Sequence, residues 1–205
     1  MYRIFFKRLF DIAFTLLVIP FFIVLLIPIS ILIKLEDKGP IFYNANRLGQ
    51  NGKLFRMYKF RSMKVNAPDI RLTDGSTYNA KNDFRVTRIG KFIRETSIDE
   101  IPQIINILLG QMSWIGPRPD PPDWINRYPE EYVDFLEVKP GITGYNQAYF
   151  RNSADGYEKM RNDKYYADHI CLILDIKIFF KTITSVVMHK DMYKEVKNNS
   201  IYRDL

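Results

Sequence analysis

The 205-residue chain has one cysteine, Cys171, so neither an intramolecular disulfide nor a cysteine-based zinc site can form, and the sequence reads as one that works in a reducing compartment. Its composition is that of an ordered protein, which argues against a disordered chain and suits one core-forming unit plus an appendage. The formal charge of +7 is uneven: residues 1–66 hold 11 Lys/Arg against 3 Asp/Glu and residues 67–205 hold 19 against 20, so the basic region lies near the N-terminus.

The same end carries the longest apolar run, 22 residues from Ile12 to Ile33 without a charge. As a helix it is about 33 Å long against a hydrocarbon core of about 30 Å, so it belongs in a membrane. It exceeds the usual apolar region of a signal peptide and no small-x-small site follows, so it is expected to be retained. Arg3, Lys7 and Arg8 precede it and Lys34 and Lys38 follow it, which gives neither end a reason to cross. Pro20 and Pro28 each favour a kink. A helix that bends and returns to the cytoplasmic face fits these facts; a one-pass anchor that tolerates two prolines also fits.

Next, "IFYNANRLG" and "KLFRMYKFRSM" alternate on either side of a Gly49–Gly52 turn signal and predict a hairpin or two short strands. Lys53, Arg56, Lys59, Arg61 and Lys64 interleave with Phe55, Tyr58 and Phe60. This mixture suits RNA, anionic headgroups or nucleotide phosphates, and equally a solvated sheet face. Residues 66–84 are polar and rich in breakers, as in a mobile loop.

From Arg85 to Leu109 the pattern is helical with a break near Thr96. Ile101, Ile104, Ile105, Leu108 and Leu109 form a stripe that predicts burial along the helix, with Gly110 ending it. Ser97 with Glu100, and Thr96 with Asp99, have the spacing of capping boxes. Acids in a first turn also complement the helix dipole by about 0.3–1 kcal/mol each. A chemical reading competes with capping. Such a helix end binds phosphate, Arg94 and Arg118 offer bidentate contacts, and one carboxylate can hold Mg²⁺ or attack phosphorus. Glycoside hydrolysis fits adjacent carboxylates poorly, because its pair flanks the sugar about 5 Å or more apart.

Further on, "PDPPDWINRYPEEYVDF" predicts a proline-punctuated segment with a short helix, "VKPGITGYNQAYFRN" a turn-rich loop, and "HICLILDIKIFFKTITSVVMHK" a last amphipathic helix. That helix can lie on the membrane or close the core. No glycine loop of a dinucleotide or Walker type occurs. His169 and His189, 20 residues apart, read as surface histidines, and Cys171 as a small core residue.

The run "RETSIDEIPQIINILLGQMSWIGPRP", with "YKFRSM" before it and "KPGITGYNQ" and "LILDIKIFF" after it, resembles the bacterial sugar transferases, the small monotopic phosphoglycosyl transferases. The match runs from "FKRLFDI" to about Met188. It implies an α+β fold: a re-entrant membrane helix over residues 1–35, then a mainly helical cytoplasmic catalytic domain over 36–205 with short strands and interfacial amphipathic helices. It implies transfer of a phosphosugar from a UDP-sugar to undecaprenyl phosphate with release of UMP, at the cytoplasmic face of the bacterial inner membrane. This would be the first membrane step of glycoconjugate synthesis, with membrane lipid but no nucleic acid as partner. By the same resemblance Asp99 is nucleophile and Mg²⁺ ligand, Glu100 its base or organiser, and Lys59, Arg94, Arg118, Arg151 and Asp175 the substrate-binding set.

Two departures stand out. The family's helix is often broken at a Ser-Pro pair, whereas here the prolines are Pro20 and Pro28, and Tyr145-Asn146 replaces a commoner Trp-Ala. Larger relatives carry extra membrane helices and a further domain in front, which are not expected here. The competing functions are a basic membrane-anchored binding protein, which leaves the later motifs unexplained, and a silent scaffold, against which the intact Asp99-Glu100 pair argues.

Overall fold

The computed structural model describes residues 1–72, 78–151, 153–188 and 201–203. After a π-type turn at Tyr2–Phe6, helix α1 runs from Lys7 to Asp37, and left-handed Lys38 closes it. Both prolines lie inside α1, which is helical throughout rather than interrupted at either. Its buried positions are Asp11, Thr15, Phe22, Ile29 and Ile33. At 100° per residue these fall within about 40° of one another, a single narrow stripe. Leu16, Leu17, Phe21, Ile23, Val24 and Ile27 are exposed around the rest of the helix.

The stripe packs on the rest of the chain from end to end. Tyr2 and Lys7 donate to the Asp175 carboxylate, and Arg8 Nη1 donates to the Ile107 carbonyl at 2.6 Å. Asp11 Oδ1 accepts from Ser113 Oγ and the Trp114 N–H. Phe22, Ile29 and Ile33 share a core with Phe60, Ile93 and Ile104. At the far end Glu36 accepts the N–H groups of Arg88 and Ile89 at 2.6 and 3.0 Å, and Asp37 pairs with Arg61.

Strands β1 (Phe42–Leu48) and β2 (Leu54–Phe60) form the expected antiparallel hairpin. Its turn needs left-handed backbone, supplied by Asn51 at φ 57° and Gly52 at φ 70°. The outer edge of β2 is closed by one side chain: Asn106 accepts the Tyr58 N–H at 3.0 Å and donates to the Arg56 carbonyl at 2.7 Å. Strand β3 (Ile70–Leu72) pairs with the terminal β6 (Ile201–Arg203). The described flanks of the 66–84 segment gather on Arg85, which is 2% exposed and binds Asp83 and the carbonyls of Pro68 and Tyr78. A buried guanidinium thus anchors Pro68, Tyr78 and Asp83.

The helical stretch after Arg85 divides into α2 (Arg88–Glu95), a 3₁₀ segment (Ile98–Gln103) and α3 (Ile104–Leu108), ended by Gly110 at φ 78°. The apolar stripe is only partly buried. Ile104 is inside, but Leu108 and Leu109 are 41% and 60% exposed, and Ile107 takes the core position instead. The 3₁₀ turns rotate the helix face, so a register drawn at 3.6 residues per turn drifts.

Strands β4 (Ser113–Ile115) and β5 (Gly141–Thr143) pair in parallel, with Gly116 at the crowded end, where a Cβ would lie 2.4 Å from the Lys139 carbonyl oxygen. Between them run two 3₁₀ segments, Pro122–Asn126 and Glu130–Glu137; helices α4 (Tyr145–Tyr149), α5 (Gly156–Asp168) and α6 (Leu172–Val187) follow. On α6, Ile178 closes a core with Ile115 and Tyr166, while Ile173, Ile176, Phe180 and Ile183 are exposed. One face of the helix thus closes the core, and the other is left apolar and exposed. Cys171 corrects the sequence expectation: it is exposed at the start of α6, not in the core.

Candidate active site

Asp99 and Glu100 stand where α2 gives way to the 3₁₀ turn. Ser97 between them adopts the left-handed conformation at φ 58°, which reverses the chain and brings the end of α2, with Arg94, beside the new turn. Neither capping box forms. The Ser97 side chain caps nothing, the Thr96 hydroxyl donates back to the Phe92 carbonyl at 2.9 Å, and the Glu100 carboxylate is used elsewhere. Glu100 Oε1 accepts from Lys59 Nζ at 2.6 Å and from Arg118 Nη2 at 2.9 Å. Two charge-assisted bonds in a sheltered cleft outweigh one to a backbone amide.

The neighbouring carboxylate is treated differently. Asp99 is 8% exposed, accepts no hydrogen bond among the described residues, and has Lys59 Nζ 4.0 Å from Oδ2. Burial pushes its pKa up to about 6, with Glu100 adding to the rise and Lys59, Arg94 and Arg118 opposing it. Burial works against ionisation of Glu100 too, yet Arg118 and Lys59 hold it well below the usual carboxylate range. Two adjacent acids are thus driven apart: one permanently charged and committed, the other uncommitted and poised near neutrality.

Both face a cleft of about 1080 Å³. Lys59, Arg94, Arg118 and Arg151 of the expected set line it. Arg151 enters from the end of α4, at φ 49°, with its N–H on the Asn146 carbonyl at 2.9 Å. Asp175 is not part of this wall: it is buried between Tyr2, Lys7 and Tyr166, where it ties the start of α1 to α5 and α6. Pro20 and Pro28 lie on the exposed side of α1. His169 is exposed and stacked on Tyr165, as expected of a surface histidine; His189 lies outside the described residues.

Sequence reasoning missed a buried brace under Arg118. Asp120 Oδ2 accepts from Lys159 Nζ at 2.6 Å and from the Tyr128 hydroxyl at 2.8 Å, and Lys159 also donates to Asp163 at 2.8 Å. The Leu48 N–H, at 2.9 Å from the Asp120 carbonyl, fastens this loop to the end of β1. The available signal was the aspartate directly after "GPRP"; its lysine lies 39 residues away and carries no motif.

Among the described residues no cluster of three or more acidic, histidine or cysteine side chains could enclose a metal. A Mg²⁺ held by one carboxylate, with waters and substrate phosphates completing its shell, does not need one. The uncommitted oxygens of Asp99 fit that role, whereas Glu100 is tied through Oε1 to both Lys59 and Arg118.

Residues 2–189 match the family described as bacterial sugar transferase. The chain is 39% identical over 189 residues to a UDP-N-acetylgalactosamine-undecaprenyl-phosphate N-acetylgalactosaminephosphotransferase of Aeromonas hydrophila, covering 89% of this chain and 44% of the relative. It is 38% identical over 201 residues to an undecaprenyl-phosphate galactose phosphotransferase of Salmonella typhimurium, covering 91% and 41%. With the exopolysaccharide production protein ExoY of Rhizobium meliloti it shares 35% identity over 199 residues, covering 91% and 88%. The chain therefore spans less than half of the first two relatives and most of the third.

Proposed function

The chain belongs to the bacterial sugar transferases, and from that premise we propose that it moves a phosphosugar from a UDP-sugar to undecaprenyl phosphate and releases UMP. The observation that carries the reading is the asymmetry of the dyad: a buried, unbonded Asp99 beside a Glu100 held by two cations. An Asp99 oxygen attacks the phosphorus that bears the sugar. The bond from that phosphorus to the bridging oxygen breaks, and UMP leaves with the electron pair. An oxygen of the lipid phosphate then attacks the aspartyl phosphosugar, the bond to Asp99 breaks, and the carboxylate is regenerated.

Glu100 serves as organiser rather than base. Its proton affinity is low, and its two bonds set Lys59 and Arg118 where phosphoryl charge develops. Arg94 and Arg151 add positive charge to the same cleft. Asp99 is the residue that would hold Mg²⁺, which when bound neutralises phosphate charge and orients the diphosphate.

The membrane reading is a helix whose two ends stay on one side. Contacts at Tyr2 and Lys7 and at Glu36 and Asp37 reach the same folded unit, and a helix that left that unit to cross a bilayer could not make both sets. The exposed apolar faces of α1 and α6 would then lie in lipid at the cytoplasmic face.

The test is UMP release from a panel of UDP-sugars with undecaprenyl phosphate and Mg²⁺. Wild type should use at least one donor and Asp99→Ala none; full release by the variant would end the proposal. Cysteines placed at positions 2 and 38 should both be shielded from an impermeant reagent in whole cells, and labelling of one end alone would indicate a spanning helix.

A further inference from the structure

Several guanidinium groups line the cleft, and most already have an anion. Arg118 binds Glu100, Arg71 grips Asp69 through two bonds of 2.7 and 2.9 Å, Arg85 binds Asp83, and Arg61 binds Asp37. Arg47, on the same wall, has no carboxylate partner among the described residues. Its polar contact there is the carbonyl of its neighbour Asn46 at a long 3.4 Å.

The position of Arg47 follows from strand register. Residues 43, 45 and 47 alternate to one face of β1, and Tyr43 stands opposite Lys59 in β2, so Arg47 and Lys59 share a face of the hairpin. The bond from the Leu48 N–H to the Asp120 carbonyl then seats this end of β1 against the loop that carries Arg118. Burial, Arg118 and Arg71 disfavour the charge on Arg47, against Tyr43 and Asp120 in its favour. Asp120 itself is committed to Lys159 and Tyr128. A surface arginine usually lays its stem on the protein and leaves its head in water. This one is half-buried beside like charge, an arrangement that an incoming anion relieves.

We propose that Arg47 is a phosphate-binding residue of the cleft, pairing with Arg118 around a substrate phosphate that the chain's own acids leave unmatched. The proposal rests on the phosphosugar transfer reading. Two sources supply that chemistry, the nucleotide phosphate of the donor and the phosphate of the lipid acceptor.

The experiment titrates the purified full chain in detergent with UMP, with UDP and with a short-chain polyprenyl phosphate, for wild type, Arg47→Gln and Arg47→Lys. Wild type should bind; Arg47→Gln should bind at least one phosphate ligand about tenfold more weakly, and Arg47→Lys should recover part of the loss, since a lysine keeps the charge but not the fork. Thermal unfolding should be the same in all three. A loss with UMP and UDP names the donor as the source, and a loss confined to the lipid phosphate names the acceptor. Equal affinities in wild type and Arg47→Gln would overturn the assignment and leave the transfer reading standing. A wild type that binds no nucleotide and no lipid phosphate, and releases no UMP from any UDP-sugar, would overturn both.

Discussion

Asp99 and Asp175 are buried to nearly the same degree, 8% and 5% exposed, yet their surroundings differ. Asp175 accepts the Tyr2 hydroxyl at 2.6 Å, Lys7 Nζ at 2.7 Å and the Tyr166 hydroxyl at 2.7 Å. Asp99 accepts nothing among the described residues and has one cation at 4.0 Å. A buried carboxylate whose oxygens are all occupied has its geometry settled and nothing left to offer a ligand. One buried but unoccupied retains its nucleophilicity and its affinity for an incoming charge. The resemblance sets Asp99 apart as nucleophile and groups Asp175 with the substrate-binding residues, whereas the hydrogen bonds of Asp175 tie it to Tyr2, Lys7 and Tyr166.

The largest effect expected is on chemistry at Asp99. Asp99→Asn should lower UMP release by about a thousandfold or more, about 4 kcal/mol of barrier, while the melting temperature holds or rises because an unpaired buried charge is gone. A melting temperature that fell sharply would show that Asp99 is architectural after all. Asp175→Asn should do the reverse. It strands Lys7, whose side chain is 12% exposed, and a broken buried pair typically costs about 3–5 kcal/mol, read by thermal unfolding, with UMP release per folded molecule nearly kept.

The third effect concerns protons. In the proposed mechanism Asp99 reacts as the carboxylate, and its pKa is raised to about 6, so kcat/KM should rise with pH through that value and fall about tenfold per unit below it. Stability runs the opposite way: the folded chain holds this proton more tightly than the unfolded one, so the benefit is full at low pH and is lost as pH rises through about 6. Asp99→Asn should remove that component of the stability profile. The smallest effect is at the far end of α1. Glu36→Gln keeps the shape but removes the charge that caps α2, at a cost of about 1 kcal/mol, or about 2–4 °C in melting temperature.

Local chemistry was legible in the sequence. The hairpin, the break near Thr96, the stop at Gly110 and the apolar N-terminal run each follow from neighbours in the chain. The carboxylate pair was legible as a candidate, and its internal division was not, because that division comes from Lys59 and Arg118, 41 and 18 residues from Glu100. The capping boxes failed for the same reason, as a distant cation outbid a near amide. In α1 the buried stripe is masked because nearly every position is apolar; Asp11 and Thr15 are its polar members, both bonded to the segment around Trp114. Lys159 and Arg47 carried no motif at all, since each matters through what the fold sets beside it.

Phe14 and Val18 of α1 belong to the wall of the cleft that holds Asp99. With the outer face of that helix in lipid, an acceptor could present its phosphate without its tail leaving the bilayer. Encounter then becomes a search in two dimensions, governed by the mole fraction of acceptor in the surface and not by its amount per volume of solution. Adding inert lipid at constant acceptor and enzyme should therefore slow turnover by surface dilution, whereas adding buffer should not.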